Sequence, residues 1–395
     1  MGNLRICILT QQYDYFWSGV GTYATYLVDR LAEKGHRVIV VTHQEPMRAA
    51  RARHKNIQLI TVKKSRYDPS VGQWFTLSLK YARLLRAHPA LKECDLYHFT
   101  DAREALFMPP LTAPAVGTMN DYYCAVASKN PLSFRKSYKD WIPRYCYYQA
   151  VRSLEPKALR KLSAVICNSH FVKETVRVRY RIPEDKLHVV YYGIKETVAA
   201  AHTSAQRLEG YPALLFVGAN FQRKGLPAVI KALSLLTHKY PQARLYVVGH
   251  DANAPQMQKL CAAYGVVNSV RFLGWVSNQE VLQLYRKATF FVMPSLIEGF
   301  GFTFLEAMSA GIPVIAGNAG GTKELITDGV NGVLVSPNNP GQLFERIALL
   351  LEDGPLREKM VRNAHATLKG YTWDESVDNT LKVYETIRMS KCISQ

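Results

Sequence analysis

The sequence predicts an α/β protein made of two doubly wound, Rossmann-like domains. Two observations carry this. Short apolar, β-prone runs alternate with helical stretches along the whole chain, which is the pattern of parallel strands joined by crossover helices. At 395 residues the chain also exceeds what one ordinary core organises. In the first half, strands are expected near 4–10, 37–42, 57–62, 95–99, 114–119, 164–168 and 187–191. In the second they are expected near 213–218, 244–248, 269–273, 289–293, 312–316 and 332–335. The segment 196–211 follows Gly193 and carries no strand, so it is expected to link a first domain, 1–195, to a second, 212–372. A helical pattern resumes after Trp373 and runs to the end of a terminal segment, 373–395.

Composition narrows the partners. Residues 1–197 hold 31 Lys and Arg against 16 Asp and Glu, a net of +15, and the remainder holds 19 against 15, a net of +4. That asymmetry argues for an anionic partner on the first half, nucleic acid or an anionic membrane face, with a plain solvated surface as the alternative. No run approaches the roughly 18 to 20 apolar residues of a membrane-spanning helix. Residues 4–9 read as a first strand, too short and wrongly flanked for a signal peptide. Ile6 stands where a myristoylation signal needs Ser or Thr. The seven cysteines are scattered, with no CxxC, so they read as reduced thiols of a cytosolic protein.

The most informative stretch is Pro294-Ser-Leu-Ile-Glu-Gly-Phe-Gly-Phe-Thr-Phe-Leu-Glu306. The run Ala288–Met293 before it reads as a buried strand, and Phe304–Ser309 as a helix that stops at Gly311 before Pro313. Glu298 then lies at the C-terminal edge of a strand. The amides of Gly299, Phe300, Gly301 and Phe302 fall at a helix N-terminus, where N–H groups and the positive dipole end suit a phosphate. Glu306 follows about one turn into the helix, and a carboxylate suits sugar hydroxyls because it accepts charge-assisted hydrogen bonds. The bland alternative is a strand-loop-helix with two solvated glutamates.

This E-x7-E string, continuing Ala-Met-Ser-Ala-Gly-Ile-Pro-Val-Ile-Ala, resembles the donor-site signature of retaining glycosyltransferases of family 4, the glycogen-synthase-like group with the GT-B fold. The resemblance implies two Rossmann-like domains facing a central cleft, a terminal helix that crosses back to the first domain, and a nucleoside-diphosphate sugar as donor. It implies further that Glu298 holds the donor sugar, that Glu306 holds the ribose, and that the amides near Phe302 and Thr303 meet the departing diphosphate.

Other motifs extend or test that resemblance. Trp17-Ser-Gly-Val-Gly-Thr22 reads as a glycine loop between strand and helix, with Gly19 near donor phosphate or no ligand at all. Phe216-Val-Gly-Ala-Asn-Phe-Gln-Arg-Lys-Gly225 places Arg223 and Lys224 where charge grows when a sugar–phosphate bond breaks. Its G-x-x-x-R-K-G form is similar to that of lipopolysaccharide-core glucosyltransferases, although Ala219 stands where the family usually has arginine. In Val270-Arg-Phe-Leu-Gly-Trp-Val276, the family's backbone meets the base. Trp275 stacks there, beside Val276, or belongs to the core. Asn120 stands in place of the family's catalytic histidine. Asp121, or His98 with Asp101, is left to share that role, and His98 alone reads as a core histidine. No D-x-D occurs, so neither a metal nor any other cofactor is expected.

Phe134, Tyr138, Trp141, Tyr145 and Tyr148 fall on one helical face among Arg135, Lys136, Lys139 and Arg144, with Pro143 placed to interrupt it. Such a stretch suits a membrane surface or a core-packed face. Lys173, Arg177 and Arg181 form a second basic face, solvated by default.

The function expected is transfer of a hexose, with retention, to a lipid-linked or saccharide acceptor in envelope or surface glycan synthesis, at the inner membrane face. An epimerase or phosphorylase on the same fold is one rival. A non-catalytic membrane- or nucleic-acid-binding protein is the other. Nucleic acid is not an expected partner of the transferase.

Overall fold

The computed structural model describes residues 2–15, 18–44, 53–63, 73–120, 138–194 and 208–393. Trp17, Asp121, Phe134, Arg135, Lys136 and most of the 196–211 segment therefore lie outside the described residues. The chain divides into two units, one of residues 1–193 with 373–395, the other of 194–372.

The first unit is built on a seven-stranded parallel sheet: β1 (Arg5–Thr10), β2 (Arg37–Gln44), β3 (Ile57–Lys63), β4 (Leu96–Phe99), β5 (Ala115–Met119), β6 (Ala164–Cys167) and β7 (Leu187–Val189), in the order 3-2-1-4-5-6-7. The second carries six: β8 (Ala213–Val217), β9 (Arg244–Val248), β10 (Val270–Gly274), β11 (Phe290–Met293), β12 (Val314–Gly317) and β13 (Val333–Val335), in the order 10-9-8-11-12-13. All thirteen lie where the apolar runs predicted them. Strands covered by helices on both faces need apolar side chains on both, and every residue of β6 and β11 is buried.

In the first unit the helices are α1 (Gly19–Glu33), α2 (Gln73–Ala87), α3 (Tyr138–Lys161) and α4 (His170–Tyr180). The second unit has α5 (Leu226–Lys239), α6 (Ala254–Ala263), α7 (Asn278–Lys287), α8 (Phe302–Ser309), α9 (Pro340–Glu352) and α10 (Gly354–Leu368). The last helix, α11 (Trp373–Ile393), belongs to the first unit. Trp373 stacks on Tyr26 of α1, with ring centroids 4.6 Å apart and planes 10° apart, and Lys34 pairs with Asp378 at 2.7 Å.

One expectation needs correction. Helix α3 continues across Pro143, which leaves the carbonyl of residue 139 without its usual helical donor but does not end the helix. The second basic face is solvated at Arg177 and Arg181, both exposed; Lys173 pairs with Glu184 at 3.1 Å and Arg177 with Glu174 at 2.7 Å, and Arg181 lies past the helix as the left-handed cap of α4.

Candidate active site

In an open parallel sheet, ligands bind beyond the carboxyl ends of the strands where the strand order reverses. In the second unit that point lies between β8 and β11. The two loops carrying the basic pair and the first glutamate leave the sheet there, one spanning 218–225 and the other 294–301.

Glycines bring the loops together. Gly225 has φ +82°, and a Cβ on it would lie 2.2 Å from the Pro294 carbonyl oxygen, so no other residue allows this approach. The Leu296 N–H donates to the Arg223 carbonyl at 2.8 Å. From the neighbouring strand end, the Asp251 carboxylate accepts the Phe221 N–H, and it also accepts the Asn253 N–H at 2.8 Å. On the far side the segment 317–321 clasps the glutamate loop: Gly321 N–H donates to the Glu298 carbonyl at 2.8 Å, and a Cβ on Gly320 would sit 2.3 Å from that same oxygen.

Glu298 is therefore a buried carboxylate held from several directions. Its Oε1 accepts from Lys224 Nζ at 3.0 Å and from Ser295 Oγ at 3.0 Å, and lies 3.6 Å from Arg223 Nη1. Burial pushes its carboxyl up, but Lys224, Arg223 and the two hydrogen bonds outweigh that and leave it below the ordinary value. Arg223 also donates to the Ile297 carbonyl at 3.0 Å, so it is no loose surface cation. Lys224 Nζ is the counter-ion of Glu298.

Helix α8 begins at Phe302, after Gly301 with φ +101°, and no side chain caps its N-terminus. The amides at the start of the helix are thus those of Phe302 and Thr303, while Gly299 and Phe300 precede it. Phe300 is turned inward, 3% exposed, with its ring 5.6 Å from that of Phe302 and 6.1 Å from that of Tyr371. Its ring packs the loop. One turn into α8, Glu306 Oε2 accepts the Tyr285 hydroxyl at 3.0 Å, and burial pushes its carboxyl up to about 7 against that bond and the Lys224 charge. Trp275 is 61% exposed, which excludes the core reading, and Val276 beside it is half-buried.

The first unit's candidates are less available. Asn120 donates to the Thr100 carbonyl and accepts from the Tyr192 hydroxyl, so its amide is spent on holding strand ends together. His98 is fully buried between the hydroxyls of Tyr384 at 2.5 Å and Thr118 at 2.7 Å, and burial pushes it down to about 3: a satisfied core histidine. Asp101 is taken by Arg103. Gly19 opens α1 rather than a loop, and the Ser18 hydroxyl caps that helix by accepting the Gly21 N–H at 3.0 Å. Among the described residues, no group of three or more His, Cys, Asp or Glu side chains is placed to hold a metal, and no helix is long and apolar enough to cross a membrane.

Sequence reasoning missed Ser295, Tyr285, Asp251 and the 317–321 clasp. Ser295 lay inside the quoted string without a role, and the clasp had a signal in its glycines; the other two had none.

Comparison with known proteins defines the class. The model for Glycosyltransferase Family 4 matches residues 17–197, and that for Glycosyl transferases group 1 matches residues 199–367. The chain belongs to the family of glycosyltransferases that join these two domains. An uncharacterized glycosyltransferase of Methanocaldococcus jannaschii is 32% identical over 248 residues, 60% of this chain and 63% of that protein. The chain spans between 49% and 63% of the length of this and similar curated relatives. Among solved structures, Anabaena HepE in complex with UDP and glucose superposes with a TM-score of 0.71 at 20% identity, covering 98% of this chain and 99% of its own. WaaG, a glycosyltransferase involved in lipopolysaccharide biosynthesis, gives 0.72 at 21%, covering 97% and 99%. The fold is GT-B.

Proposed function

We propose that the protein is a retaining hexosyltransferase that uses a nucleoside-diphosphate sugar. The observation that carries this is the convergence of Glu298, Lys224, Arg223 and the start of α8 at the switch point of the second sheet. The carboxylate takes the sugar hydroxyls, and Glu306 takes the ribose. The bond between the anomeric carbon and the phosphate oxygen breaks, and its electron pair leaves with the nucleoside diphosphate. Lys224, Arg223 and the amides of Phe302 and Thr303 balance that charge without a metal. The acceptor hydroxyl attacks from the same face and passes its proton to the departing phosphate, which conserves the anomeric configuration.

The presence of UDP and glucose in the Anabaena protein supports a nucleotide sugar as donor. The role of WaaG in lipopolysaccharide biosynthesis supports an envelope glycan as product, and the basic first half supports a lipid-linked acceptor at an anionic membrane. The test is a thermal-shift screen of UDP-, GDP- and ADP-sugars, followed by nucleoside diphosphate release in excess chelator. One class should raise the melting point and be consumed. No shift with any of them contradicts the donor assignment, and activity that vanishes with chelator and returns with Mg²⁺ contradicts the metal-free mechanism.

A further inference from the structure

We propose that Ser295 is a positioning residue that acts through Glu298: its hydroxyl commits Oε1 of that carboxylate to the protein and turns Oε2 toward the sugar of the donor. The inference rests on the reading of Glu298 given above.

Among the described residues, the donors to this carboxylate converge on one oxygen. Ser295 Oγ and Lys224 Nζ each lie 3.0 Å from Oε1, and Arg223 Nη1 lies 3.6 Å from it. Among the described residues no hydrogen bond reaches Oε2, although 8% of the side chain's surface remains exposed. A glutamate's terminal torsion is intrinsically broad, so the short bond from Lys224, with Arg223 farther off, would leave the carboxylate room to swing. A second donor from a different direction removes that freedom.

Ser295 is built for this. It is fully buried, and its carbonyl is backed by Gly317, where a Cβ would stand 2.2 Å away. Its own N–H donates to the Met293 carbonyl at 2.8 Å, which fixes the backbone from which the hydroxyl springs. An ionised carboxylate only accepts, so the hydroxyl proton points at Oε1. With Oε1 saturated, Oε2 is the oxygen left to accept from a sugar hydroxyl, and its direction is set before the donor arrives.

The experiment compares wild type, Ser295→Ala and Ser295→Thr, using UDP-glucose, GDP-mannose and ADP-glucose side by side. Nucleoside diphosphate release gives kcat across pH, and calorimetry gives the affinity for UDP, GDP and ADP. For Ser295→Ala, kcat is expected to fall ten- to a hundredfold while nucleoside diphosphate affinity stays within twofold, since those ligands carry no sugar. The acid limb of its kcat profile should move to higher pH, because the carboxylate has lost a bond that favours its charged form. The threonine hydroxyl should restore both. Wild-type kcat and limb in Ser295→Ala overturn this inference alone. Equal losses of kcat, nucleotide affinity and melting point, in either variant, also overturn it, because they mark a structural role. Wild type that releases nucleoside diphosphate from none of the three overturns the reading of Glu298, and this inference with it.

Discussion

Glu306 shows how one contact sets a testable pH dependence. Burial holds its carboxyl near 7 against an ordinary value of 4.5, with the Tyr285 hydroxyl and Lys224 pulling it back. The folded protein thus binds more protons than the unfolded chain between pH 4.5 and 7, so this residue's contribution to stability falls as pH rises through that window. An ionised carboxylate is the stronger acceptor for ribose hydroxyls, so nucleotide affinity should rise from pH 6 to 8, by up to about tenfold. Calorimetry of UDP, GDP and ADP at the two pH values checks this, and a flat affinity would remove Glu306 from the ribose site. Tyr285→Phe deletes the bond that favours the charged form and should move the midpoint higher. A midpoint that moves lower means Tyr285 does not act as that donor.

Elements place these residues, and here the sequence was legible in part. Buried parallel strands are continuous apolar runs, so all thirteen could be read from the chain, and the E-x7-E loop could be read because its parts are adjacent. What could not be read depends on which strands become neighbours. Asp251 reaches Phe221 across 30 residues, Tyr285 reaches Glu306 across 21, and Tyr192 ties up Asn120 across 72. No local pattern encodes those meetings. Gly225 is where the two site loops depend on each other, because its φ of +82° and its 2.2 Å approach to Pro294 exclude a side chain. Gly225→Ala should cost about 1–3 kcal/mol, lower the melting point by several degrees, and reduce turnover by displacing Lys224 and Arg223. An unchanged melting point and turnover would show that the loops do not need this contact.

For the whole molecule, charge is the property that no single element explains. The first 197 residues carry +15 and the remaining 198 carry +4. Each basic residue close to an anionic leaflet adds about 1 kcal/mol, screened by salt, so a handful suffices for reversible attachment without a spanning helix. Co-sedimentation with vesicles should rise with anionic lipid content, fall as salt increases, and weaken when Arg135, Lys136 and Lys139 are changed together to Gln. Indifference to anionic vesicles at low salt would point to a water-soluble saccharide acceptor instead.

The central claim is that Glu298 and Lys224 form the sugar-transfer site of a nucleotide-sugar-dependent enzyme. Steady-state turnover of Glu298→Gln and Lys224→Ala, at saturating donor and with folding checked by melting point, tests it most directly. Losing a preorganised charged contact costs ~2–4 kcal/mol of transition-state stabilisation, so both variants should stay folded and lose about a hundredfold or more in kcat. Near-normal turnover in either one would contradict the account.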